Sequence, residues 1–200
     1  MDRIQVNKLQ VTPIGVALKA VGKPYKLEDV TEDLFYKVGK VYKHESVMEH
    51  INISLEIVGI SRLCLQELVR HRIASYTVES SRFTLKKLLK DTKVIDPKDY
   101  CVIPMLERGI RVVNIIYNVL SGNLRNIQLM LLEGIPNDDV KYILPESFRT
   151  GLVTTINLRS LINFLELRDD NKAHYEIQHL AKLIKEKLKD EKIYKFLTKK

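Results

Sequence analysis

Arg70-His71-Arg72, followed after seven residues by Ser80, Ser81 and Arg82, concentrates guanidinium, imidazole and hydroxyl groups in one short run. A core excludes such residues and a solvated surface does not require them at this density. Guanidinium groups match phosphate oxygens in bidentate fashion, and a Ser-Ser turn adds backbone N–H donors. The run therefore predicts a site for a phosphorylated ligand. Arg70 and Arg72 at a helix C-terminus would also sit well against the helix dipole with no ligand present. That alternative accounts for two charges and leaves His71, Ser80, Ser81 and Arg82 unexplained.

A second constellation stands in NLRSLINFLELR, residues 157–168, where Arg159 and Asn163 are four apart and share one face of a helix. Both could touch one ligand. Beside Leu161, Leu165 and Leu167, the same polar stripe equally suits an amphipathic helix at a subunit contact. Farther upstream, His44-Glu45-Ser46-Val47-Met48-Glu49-His50 reads, on its own, as a helix end with a satisfied histidine.

These residues need elements to hold them. Ile51, Ile53, Leu55 and Ile57 alternate with polar residues, which predicts a half-buried strand over 50–58 that Gly59 breaks. Ser61 then caps a helix whose Leu65, Leu68 and Val69 recur at helical spacing, so that the basic triplet ends that helix. Further helices are expected at Thr84–Lys90, Leu106–Leu120 and Leu124–Glu133, the last punctuated by Gly134 and Pro136. A β-branched strand over 151–156 leads into Asn157, the cap of a helix over 158–167, and a final helix runs over 172–196. The N-terminal third should hold a strand near 4–11, a helix after Pro13 and another over 31–40. Few strands among many helices predict an α/β or α+β chain.

With 200 residues, 45% of them hydrophobic, and neither linker nor repeat, one domain over 1–200 is expected. The first ten residues lack the apolar run of a secretory signal and no stretch is long and apolar enough for a membrane span, so a soluble, cytoplasmic protein is expected. Cys64 and Cys101 are too few and too far apart for a disulfide framework or a zinc site, and no metal site is expected. Net charge is +8, and from Lys182 to Lys200 eight lysines face three acids. A solvated helix face explains that tail most simply, and a nucleic-acid surface is the other reading.

RHR-x7-S is the signature of the flavin-dependent thymidylate synthases, and the chain resembles that family at two more places. NLRSLINFLELR reproduces the family's N-x-R-S-L-x-N-F-L-x-L-R segment, and residues 44–50 match H-x-[ST]-x-x-E-H. The resemblance spans about 44–180. It implies a thymidylate synthase-complementing type fold, with a mixed central sheet flanked by helices and a helical extension. The implied reaction is reductive methylation of dUMP to dTMP, with 5,10-methylenetetrahydrofolate as carbon donor, FAD as cofactor and NADPH as reductant. By motif position, His44, Ser46, Glu49, Arg70, His71, Arg72, Asn157, Arg159 and Asn163 would border the flavin. Glu67, Arg70, Val78, Glu79, Ser80, Ser81, Arg82, Lys141 and Arg168 would border the nucleotide. Arg168 would stabilise ionised uracil without a covalent cysteine, and a homotetramer would build active sites at its subunit interfaces.

Several positions depart from the family pattern. Thr77-Val78 stands for Asn-Glu with the acid moved to Glu79, where backbone N–H groups at Val78 and Glu79 could still serve; Glu67 replaces a glutamine; Lys141 replaces an arginine. Lys172 replaces a histidine and Phe83 a tyrosine. An anionic Glu67 near a nucleotide requires protonation or an arginine partner. Beside the synthase, two other readings remain at this point: a basic nucleic-acid-binding protein, and a flavin or nucleotide binder that has lost turnover.

Overall fold

The alternation of Ile51, Ile53, Leu55 and Ile57 is realised in the computed structural model, which describes residues 3–85, 95–104 and 109–198: all four side chains are buried. Ile51 stands just before, and the other three within, the second of four strands, β1 (Gln5–Val11), β2 (Asn52–Ser61), β3 (Ala74–Val78) and β4 (Arg149–Asn157). The strands form an antiparallel sheet of spatial order β1-β2-β4-β3. Register is fixed by the Thr12 N–H on the Asn52 carbonyl at 2.9 Å and by the Ser54 and Thr155 hydroxyls 2.9 Å apart. The helices are α1 (Gly15–Gly22), α2 (Glu32–Tyr36), α3 (Arg62–Leu68), α4 (Ser81–Thr84), α5 (Pro97–Tyr100), α6 (Ile110–Leu132), α7 (Asn137–Val140), α8 (Leu158–Arg168), α9 (Tyr175–Lys187) and α10 (Tyr194–Leu197). A sheet with helices is what was expected, in its α+β form, and its strands are antiparallel where the resemblance implied a mixed sheet.

The chain divides into two compact units, one from Met1–Ile4, Val58–Gln66 and Val78–Gly151, the other from Gln5–Ile57, Glu67–Thr77 and Leu152–Lys200. In the first, the stripe Leu120, Leu124, Ile127 and Leu131 of α6 packs with Leu85, Cys101, Val140 and Phe148. In the second, α8 buries Leu158, Leu161, Ile162, Phe164 and Leu165 and packs on a 3-10 turn, Glu45–His50, and on α9. Phe35 and Phe196 close that core with ring centroids 4.8 Å apart.

Gly59 does not break β2, contrary to expectation; the strand passes through it to Ser61. Gly59 has φ +84°, and a Cβ there would lie 2.5 Å from the Arg3 carbonyl oxygen. Glycine thus lets the strand continue where the Arg3 backbone leaves no room for a side chain. Gly59→Ala is expected to lose about 1–3 kcal/mol from backbone strain alone, with the overlap on Arg3 adding to it, read as a lowered urea midpoint.

Other boundaries shift for local reasons. Helix α3 is capped as expected, with the Ser61 hydroxyl accepting from the Cys64 N–H at 3.0 Å, but it ends at Leu68, so the basic triplet follows the helix. The Tyr76 hydroxyl holds that turn, donating to the His71 carbonyl at 2.8 Å and lying 3.1 Å from the Leu68 carbonyl. The dipole explanation for Arg70 and Arg72 weakens accordingly. Strand β3 was not anticipated, because its sequence ASYTV reads as a hydroxyl-rich turn. The two helices expected over 106–133 are one, α6, from Ile110 on, since Leu120 and Leu124 keep the buried stripe in phase across Gly122; residues 106–108 lie outside the described residues. Helix α4 covers Ser81–Thr84 and so ends at Thr84, where the expected 84–90 helix was to begin; residues 86–90 of that expectation lie outside the described residues. The final helix is two, α9 and α10, and the helix over 31–40 is α2, capped by Thr31, followed by a π-helical turn Lys37–Val41.

Candidate active site

Helix α8 starts where the Asn157 Oδ1 accepts from the Ser160 N–H at 2.8 Å, which satisfies one of the first-turn donors. With its apolar stripe buried, the helix leaves Arg159, Asn163 and Leu167 exposed and Ser160 and Arg168 partly so. Ser160, Asn163, Leu167 and Arg168 line one wall of a cleft of about 640 Å³, and Arg70, His71, Arg72 and Ile73 line the other. Two segments almost a hundred residues apart thus bring three guanidinium groups and an imidazole onto one cavity.

Arg168 is fixed on three sides. Its Nε donates to His71 Nε2 at 3.2 Å, its Nη1 to Glu67 Oε2 at 2.8 Å and its Nη2 to the Glu67 carbonyl at 3.4 Å. The Arg168 and Glu67 side chains are only 18% and 23% exposed, so the pair is shielded more than a surface bridge. Glu67 therefore has the arginine partner that its anionic charge requires, and it does not line the cleft.

His71 lies edge-on to Phe164, with centroids 5.0 Å apart and planes at 80°. Its Nε2 can accept from Arg168 only as the neutral imidazole with the proton on Nδ1. Burial pushes its pKa below the ordinary 6.5, and the neighbouring Arg168 and Arg70 charges push the same way. The unfolded chain therefore takes up this proton at higher pH than the folded one. The resulting stability is whole above pH 6.5 and is lost as pH falls through the lowered folded value. The stability advantage of the native chain over His71→Asn should narrow on acidification below pH 6.5, measured by urea unfolding across a pH series.

Arg159 faces a second cleft of about 490 Å³ that shares Ile73, Ser160 and Asn163 with the first. Two carboxylates brace it, Glu45 at 3.0 Å and Glu49 at 2.6 Å. Lys40 and Lys43 also line this cleft, delivered by the π-helical turn and the residues after it. Of the upstream motif, Glu49 reaches a cleft, whereas His44 and Ser46 are exposed and line neither.

The expected phosphate residues lie in the other compact unit. The Arg82 Nε and the Lys141 Nζ both donate to Oδ1 of Asp138, at 2.8 and 2.7 Å. These two cations hold the Asp138 carboxyl below the usual carboxylate range, Lys141 contributing first. The Asn137 side-chain amide donates to the Arg82 carbonyl, tying α4 to α7. Ser80 precedes α4 as its N-cap without a side-chain cap bond, and Ser81 opens the helix. Val78 ends β3, and the Glu79 N–H donates to the Gly151 carbonyl at 2.9 Å. The expectation that this N–H serves a ligand is thereby corrected, because the sheet already uses it. Lys172 is exposed, and Phe83 is 75% exposed.

Sequence reasoning missed Asp138, Asn137, Glu45, Lys40 and Tyr76. Only Asp138 left a readable signal, an acid three residues before Lys141. The others act through tertiary approach that spacing does not encode.

A model of the thymidylate synthase complementing protein family matches residues 16–192. The flavin-dependent thymidylate synthase of Helicobacter pylori is 39% identical over 92% of this chain and 93% of its own length. That of Campylobacter jejuni is 40% identical over 97% and 95%. A crystal structure of Helicobacter pylori thymidylate synthase X with FAD and dUMP superposes with a TM-score of 0.85 at 33% identity, covering 97% of both chains. Motifs, sheet and helices agree along nearly the whole length, and the chain belongs to the flavin-dependent thymidylate synthase family.

Proposed function

We propose that this protein is a flavin-dependent thymidylate synthase, which methylates dUMP reductively to dTMP as one catalytic domain over 1–200. The observation that carries the reading is the convergence of Arg70, His71, Arg72, Asn163 and Arg168 on one cleft. The donor set fits FAD: guanidinium, amide and hydroxyl groups along two clefts that share Ile73, Ser160 and Asn163 suit a long anionic dinucleotide. Arg70, His71, Arg72, Arg159 and Asn163 would hold it with Glu49 beside Arg159, while Asn157 acts through the cap of α8, and His44 and Ser46 line neither cleft. When bound and reduced by NADPH, the flavin supplies the reducing equivalents, and 5,10-methylenetetrahydrofolate supplies the carbon.

The chain's own part is electrostatic. As C5 of uracil becomes nucleophilic, negative charge grows on N3 and O4, and a fixed guanidinium stabilises it. Arg168 has that role, since arginine stays protonated and cannot act as a base. Ser80, Ser81, Arg82 and Lys141 hold the phosphate, with Val78 and Glu79 at the edge of the nucleotide. Cys64 and Cys101 are fully buried, and burial pushes the Cys101 thiol up, which suits a route without a covalent cysteine.

The working assembly is a homotetramer with active sites at its interfaces. Helix α6 supports this, since Val112, Ile115 and Val119 form an exposed apolar stripe at helical spacing. We place the enzyme in the cytoplasm; among the described residues no helix is long and apolar enough to cross a membrane. The lysine tail adds little to a nucleic-acid reading, because Lys185, Lys189, Lys192 and Lys195 are paired with Asp169, Glu186, Glu32 and Asp33.

Tritium release from dUMP labelled at C5, with FAD, NADPH and methylenetetrahydrofolate supplied, tests the reading. Release coupled to dTMP formation is expected. A protein that takes up FAD and dUMP but releases no tritium would reduce it to a binder, and one that stays colourless in FAD would remove the flavin altogether.

A further inference from the structure

Glu67 stands where the family pattern has a neutral glutamine bordering the nucleotide, yet it does not line the cleft that Arg168 lines. It sits behind the arginine. Its carboxylate takes Nη1 and its own main-chain carbonyl approaches Nη2, while His71 takes Nε. A guanidinium carries five N–H donors in a rigid plane, so these three contacts fix the plane and leave one donor on each terminal nitrogen. Arg70 and Arg72 face the same cleft, so an unpaired Arg168 would also be pushed out by like charge.

We infer that Glu67 is a positioning residue: it clamps Arg168 against His71 and so presents the remaining guanidinium donors to the pyrimidine, without itself touching substrate. The inference rests on the proposed function for the identity of the substrate, and on geometry alone for the clamp. A carboxylate does this better than the family's amide, because its negative charge both accepts the bond and offsets the crowding of three cations. The cost of losing it falls on orientation. A displacement of about 1 Å at a reacting group costs ~100-fold in rate.

Glu67→Ala and Glu67→Gln in the flavin-loaded full-length enzyme test this. Glu67→Gln keeps an acceptor oxygen and the side-chain volume, and it remains interpretable if the alanine variant does not fold. With Glu67→Ala, kcat for tritium release should fall ~100-fold. With Glu67→Gln the fall should be about tenfold, and KM for dUMP should stay within about threefold for both. NMR titration of His71 in the same samples is the second readout. The charged groups around its ring are Arg168, Arg70 and, through Arg168, Glu67. Release of Arg168 removes a cation from the imidazole, so its pKa should rise in Glu67→Ala. Loss of the carboxylate with the guanidinium still in place would lower it instead. A loss carried by KM, an unchanged kcat, or a downward His71 shift would overturn the inference. If the native holoenzyme releases no tritium, the proposed function fails, and the His71 titration alone decides the clamp.

Discussion

Arg168→Met is expected to lose at least about 10³-fold in kcat, since removing one fixed donor from a developing anion costs 10²–10³-fold and Arg168 offers more than one. The purified variant should stay yellow. Arg168 closes only one end of the α8 ridge, while Arg159 and Asn163 remain on it. Arg168→Lys should recover no more than about tenfold, because a single ammonium cannot reproduce the planar, three-sided fixation by His71, the Glu67 carboxylate and the Glu67 carbonyl. The measurement is kcat for tritium release alongside flavin absorbance and dUMP affinity. A variant that loses flavin together with turnover would show Arg168 to be a cofactor residue, and one that keeps its turnover would remove it from the chemistry.

This expectation was legible in the sequence only in part. NLRSLINFLELR announced a capped amphipathic helix with Arg159 and Asn163 on one face, because helical period and an Asn cap are local properties. That Arg168 meets Arg70, His71 and Arg72 at a common cleft depends on how α8 packs, which no spacing within either segment encodes. The same distinction separates the strands. β2 was readable from period two with one buried face, whereas β3 was hidden because its five residues, ASYTV, make a short run that buries no side chain fully. Gly59 was misjudged because a glycine reads as a break, when its positive φ instead lets the strand pass close to Arg3. Glu67 shows the limit most plainly. The residue type signalled a conflict with an anionic ligand, and only coordinates show its resolution through Arg168.

Arg82→Ala should raise KM for dUMP about 30–150-fold, the loss of a charge-assisted contact worth about 2–3 kcal/mol, with kcat nearly unchanged. The effect belongs to ground-state binding, because the phosphate does not react, and uniform binding appears in KM alone. Lys141→Ala should act in the same direction and more weakly, since a lysine offers a point charge without a fork. Asp138 decides between this role and a merely structural one. Its Oδ1 already accepts from both cations, so an incoming phosphate must share them with a carboxylate that the same cations keep ionised. Asp138→Asn weakens that competition, and KM should then fall rather than rise. If Arg82 served only to tie α4 to α7, Asp138→Asn would loosen the same contact and KM would rise with it. Comparison with deoxyuridine separates the two: discrimination between nucleotide and nucleoside should collapse in Arg82→Ala and persist in Asp138→Asn, because only the first removes a group that the phosphate alone engages.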